Sequence, residues 1–166
     1  ALVSFSRALA LAPAAANALT NKAFALHSLG RYQDALDSCD QALAANAGDT
    51  NAFLMRGHAL AKLDRPAEAA ASYERVLAID PGNPYALGAS LMAHRAACHW
   101  ERLEQLVPAI EQSIGIGEAA IPPLNLLGLP LAPAVQLQCA KNFMRQRSPA
   151  DLKPFPNRQR VRSDKI

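Results

Sequence analysis

The sequence is short of most features that announce an activity. Its 166 residues hold three cysteines, Cys39, Cys98 and Cys139, with no close pair among them. An odd, scattered set gives no disulfide framework, and a reducing cytoplasm is the simplest setting. No run approaches the eighteen or so uninterrupted apolar residues of a membrane span, so no membrane partner is expected. The N-terminal ALVSFSRALALAP is apolar but has no basic segment ahead of it, which argues against a signal peptide. Gly115-Ile116-Gly117 follows a helical pattern and has no third glycine, so it reads as a helix end and not as a nucleotide loop. Serine, histidine and aspartate occur in no nucleophile-elbow context, leaving hydrolase chemistry without support. His94, Cys98 and His99 lie close in sequence, yet a metal site needs three or four converging ligands and no fourth is apparent. Core packing is the expectation for those three. No catalytic residue, cofactor or metal is expected.

What is present is apolar periodicity. The chain is 51% hydrophobic and 19% charged, a globular composition with apolar residues at helical spacing. Net charge is +3 but unevenly spread: residues 1–140 carry 9 basic and 12 acidic side chains, residues 141–166 carry 8 and 2. The basic end contains three prolines and few aromatics. It reads as a solvated linker, and no nucleic-acid partner is expected.

The organising stretch is Ala16 to Asn83, which is one pattern written twice. Ala35 and Ala69 are 34 residues apart, as are Leu29 and Leu63, Cys39 and Tyr73, Ala42 and Val76, and Leu43 and Leu77. Counting back 34 from Ala35, Cys39, Ala42 and Ala47 reaches Ala1, Phe5, Ala8 and Pro13. The spacing predicts helices over about 16–29, 32–45, 49–63 and 66–79, with Gly30-Arg31 as a tight connection. Pro66 suits a first helical turn, Asp64 is the expected cap, and Asp80-Pro81-Gly82-Asn83-Pro84 is a stop. Small residues recur where paired helices must approach: Ala23 and Gly57 are equivalent, as are Ala35 and Ala69.

With these positions the sequence resembles the tetratricopeptide repeat family, whose period is 34. The resemblance implies an all-α fold, a right-handed superhelix of helix-turn-helix repeats. The expected organisation is a half repeat at 1–15, full repeats at 16–49 and 50–83, and a degenerate repeat at 84–115 with Leu91 in the place of Gly57 and Leu103 in that of Ala69. A capping segment and helix at 116–147 and a basic linker at 148–166 complete it. The half repeat lacks its first helix, so the apolar side of residues 1–12 is expected to seek a partner, by self-association. Residues 116–133 hold four prolines and two glycines among leucines, and should pack on the last helices.

In that family, first helices line the concave face where extended peptides lie. The register puts Asn17, Thr20, Asn21, Phe24 and His27 there from one repeat, Asn51, Leu54, Met55 and His58 from the next, and Tyr85, Met92 and Arg95 from the third. Asparagine amides carry both donor and acceptor and can hold a peptide backbone without reading its sequence. A carboxylate clamp of lysines and asparagines is not formed, since Thr20, Phe24, Met55, Tyr85 and Ala89 occupy its places. Leu91-Met92-Ala93-His94-Arg95-Ala96-Ala97-Cys98-His99-Trp100, Pro122-Pro123-Leu124-Asn125-Leu126-Leu127 and Gln136-Leu137-Gln138-Cys139-Ala140 resemble the region joining repeats to catalytic domain in bacterial O-linked N-acetylglucosamine transferases. The resemblance implies a non-catalytic, substrate-presenting arm, with a UDP-sugar-dependent domain beyond Ile166. A free-standing scaffold or adaptor is the alternative.

Overall fold

The computed structural model describes residues 16–118 and 121–146. Helices account for nearly all of this: α1 (Ala16–Ser28), α2 (Tyr32–Ala45), α3 (Thr50–Lys62), α4 (Pro66–Ile79), α5 (Pro84–Ala96), α6 (Trp100–Gly115) and α7 (Pro133–Gln146), with a 3-10 turn at Pro123–Leu126. No strand occurs among the described residues. Each helix packs chiefly on its neighbours in sequence, and α1 also reaches α3, the first helix of the next pair. Connections this short force antiparallel pairs, and stacking the pairs gives the expected all-helical repeat fold. Residues 1–12 and 148–166, where a helix and a linker are expected, lie outside the described residues.

The three within-pair connections are built alike. Gly30, Asp64 and Cys98 all adopt positive φ, at 76°, 58° and 57°, and they are spaced 34 apart. After each, the next residue donates its N–H back to the helix: Arg31 to the Leu26 carbonyl, Arg65 to Leu60 and His99 to His94. This left-handed step closes the carbonyls of the helix end. Asp64 is therefore not the cap of α4 that the sequence suggests. Arg65 holds that position, with no side-chain cap, and Asp64 is taken up by the turn. The same geometry puts Cys98 and His99 at the surface, so of the three residues expected in the core only His94 is buried.

Side-chain size fixes how closely helices approach. Ala23, Ala35, Ala59 and Ala69 are fully buried in one core that runs through α1–α4 and reaches Ala93 of α5. A second core joins Leu87, Leu91, Leu103, Ile110 and Ile114 to Ile121, Leu126, Leu129 and Leu131, so the proline-rich segment does pack on the last helices. Asn142 of α7, 1% exposed, donates to the carbonyls of Ile114 (2.8 Å) and Glu118 (3.3 Å), pinning α7 across the end of α6. The three cysteines are free, and burial beside Asp40 pushes the Cys39 thiol up to about 12.

Candidate functional site

One face of α1 and the matching face of α3 enclose an open hollow of about 460 Å³. The lining from α1 is Asn17, Thr20, Asn21 and Phe24, residues at i, i+3, i+4 and i+7 that share one side of a helix. From α3 come Asn51, Leu54 and Met55, which occupy the same register 34 residues later, with Asp49 at the end of the helix. Asn17, Asn21 and Asn51 are exposed, and Phe24 stands 62% exposed beside them. An apolar wall and several amides turned to solvent can hold an apolar side chain while hydrogen bonding the backbone on either side of it.

Asp49 is the residue that sequence reasoning missed as part of this face. Its Oδ1 accepts the N–H groups of Asn51 (3.0 Å) and Ala52 (3.1 Å), capping α3, and its Oδ2 accepts the Thr20 hydroxyl at 3.0 Å. Thr20 accordingly lies in the wall at 8% exposure, bonded to Asp49, and is not a free peptide contact. The signal was available: an aspartate two residues before Asn51, at a helix start, is placed to cap and to face the same side.

The rest of the expected set falls elsewhere. His27 and His58 are drawn between helices in a row of rings, His27 to Tyr32 at 5.2 Å, His27 to His58 at 6.2 Å and His58 to Tyr73 at 5.7 Å. Burial lowers the pKa of both, with Lys62 adding to the effect at His27 and His27 at His58, so both are neutral near pH 7. Tyr85 and Met92 are exposed on the corresponding face of α5, outside the hollow. Arg95 donates to the carbonyls of Asn125 (3.0 Å) and Leu127 (2.8 Å), holding the 3-10 turn, so its guanidinium serves the fold and is not offered to a peptide. A smaller hollow of about 250 Å³ lies beside it, walled by Trp100, Leu103 and Leu127–Pro130.

His94 is buried between Glu74, at 3.3 Å from its Nε2, and His99, whose Nδ1 is 3.3 Å from its own. Burial lowers its pKa and Glu74 opposes the shift. Among the described residues, no group of three or more histidine, cysteine or acidic side chains is placed to hold a metal ion. No helix there is long and apolar enough to cross a membrane.

Residues 1–50 and 50–83 each match a family profile described as Tetratricopeptide repeat. Curated proteins give no match to the sequence. Several solved structures are similar. The first TPR of Spaghetti (RPAP3), bound to the HSP90 peptide SRMEEVD, is 29% identical with a TM-score of 0.58, covering 58% of this chain and 77% of that one. YrrB, a TPR protein with an unusual peptide-binding site, is 20% identical with a TM-score of 0.64, covering 87% and 76%. MamA is 17% identical with a TM-score of 0.62, covering 87% and 83%. The repeat profiles reach across half of the residues, the helix pairs recur with the same left-handed turn every 34 positions, and the chain belongs to the tetratricopeptide repeat family.

Proposed function

We propose that the α1–α3 hollow receives an extended segment of another polypeptide, which makes this chain a protein-interaction module with no catalytic role of its own. The observation that carries the reading is convergence. Seven of the twelve residues assigned to the concave face from sequence line one hollow, and three of them are exposed asparagines next to Phe24, Leu54 and Met55. The peptide in the similar RPAP3 structure supports the same use of the fold.

The resemblance of residues 91–140 to the linker region of bacterial O-linked N-acetylglucosamine transferases supports a more specific role. In it the module is the cytoplasmic, substrate-presenting arm of a UDP-sugar-dependent protein glycosyltransferase. A free-standing scaffold would use the same hollow in the same manner. The native sequence after Ile166 separates the two: several hundred residues of α/β pattern support the transferase, and an early stop codon supports the scaffold.

The binding test is calorimetric, using a short unstructured peptide of serine and asparagine with a central leucine. Backbone hydrogen bonds exchange with water and contribute only about 0.5–1.5 kcal/mol each, so micromolar or weaker affinity is expected. Changing Asn21 and Asn51 together to alanine removes two such partners and should weaken binding by about 5- to 150-fold. Both side chains are exposed, so the thermal melt should stay within about 1 kcal/mol of the parent. Unchanged affinity in the folded double variant would remove the asparagines from the site.

A further inference from the structure

The hollow has a charge of one sign, and on the reading just given that charge selects what enters. Among the described residues, Asp49 is the only ionisable one of its lining. A carboxylate offers about four acceptor positions, and three hydrogen bonds to Asp49 are in place, from Asn51, Ala52 and Thr20. These three fix its orientation and leave one acceptor position, on Oδ2, of a residue that lines the hollow.

Among the described residues, no cation lines the hollow. Between residues 16 and 83 there are six basic and eight acidic side chains. Arg31 pairs with Asp34, Arg56 with Asp40 and Arg65 with Glu68, while Arg75 lies over the Phe53 ring at 5.5 Å. Lys22 lines a different hollow, together with Arg31, Asp34 and Asp37, and Lys62 lies in the last turn of α3, far along the helix from its capped start. Phe24, in the same lining, is exposed, and an aromatic face attracts cations.

We propose that this hollow takes extended segments in which a lysine or arginine adjoins an apolar residue, and that it discriminates against acidic segments. The cationic group takes the remaining acceptor position of Asp49 and lies near Phe24, and the apolar neighbour packs on Leu54 and Met55. A glutamate or aspartate in the same place meets a fixed carboxylate with no cation among the described lining residues to offset it.

The test uses three versions of one serine–asparagine peptide with a central leucine, flanked by lysine, by serine or by glutamate. At low salt the lysine version should bind roughly tenfold more tightly than the glutamate version, and the gap should shrink as salt screens it. Asp49→Asn should close the gap. The chain itself shows that asparagine caps this position, because Asn83, 34 residues on, accepts the Ala86 N–H at 3.0 Å to cap α5. Asp80→Asn, the same change at an exposed carboxylate outside the hollow, should leave the gap open. Tighter binding of the glutamate version, equal binding of the lysine and glutamate versions, or a lysine preference that survives Asp49→Asn would overturn the charge selection while leaving peptide binding in place. Failure of all three peptides to bind would overturn both.

Discussion

Gly57→Ala is expected to destabilise the protein by about 1–3 kcal/mol, although alanine in a helix interior ordinarily improves on glycine by about 1 kcal/mol. The reason is Tyr73. A Cβ at position 57 would lie 2.6 Å from Tyr73 Cζ and 2.8 Å from Cδ1, overlapping a ring that is itself 2% exposed and packed beside His58. The neighbouring copies show the compensating choice: Ala23 is matched with Cys39, Gly57 with Tyr73, and Leu91 with Val107, all at the same separation. Where the first residue carries a side chain, the second is small. Tyr73→Cys alone should leave a cavity and lower stability by roughly 2–4 kcal/mol. In that background Gly57→Ala should no longer destabilise, since it restores the pairing of the first repeat. Urea melts of the four proteins measure the coupling. An equal loss from Gly57→Ala in both backgrounds would contradict the helix register.

Acid should weaken the fold before carboxylates begin to titrate. Burial lowers the pKa of His27, His58 and His94 below the ordinary 6.5. The unfolded chain therefore binds protons that the folded chain does not, over the window between each folded pKa and 6.5. Their neutral forms are fully accommodated above pH 6.5, and stability falls as pH drops through the folded values, by up to about 1.4 kcal/mol per pH unit for each histidine. At His27 and His58 burial and a neighbouring cationic or titrating group act in the same direction, from Lys62 at His27 and from His27 at His58. His94 contributes less, since Glu74 lies 3.3 Å away. Chemical denaturation at pH 7.5, 6.5 and 5.5 should show the decline, and His58→Phe should flatten it. An identical slope in the variant would show that buried histidines do not set the acid limit.

The helix pairs were legible because small and large side chains recur at one offset, and helix packing tolerates few other sizes at those positions. The turns were less so. Gly30 announces a left-handed residue, but Asp64 and Cys98 do not, and only their separation from Gly30 reveals that they share its backbone. For the site, helical register gave the correct face of α1 and α3 but not the depth of each side chain. Thr20 turns into the wall because Asp49, brought there by the α2–α3 connection, accepts its hydroxyl. Arg95 is withdrawn by carbonyls 30 and 32 residues further along the chain, a partner that no periodicity within the repeats can show.

The most direct test of the central claim is a nuclear magnetic resonance titration of the chain with the serine–asparagine–leucine peptide. Side-chain amides of Asn17, Asn21 and Asn51 and the methyl groups of Leu54 and Met55 should shift together with one saturation curve, because they surround one hollow. The amide of Asn142, buried between α6 and α7, should not move. Saturable shifts centred instead on Lys22, Asp34 and Asp37, or on Trp100 and Leu127, with the three asparagines unmoved, would contradict it.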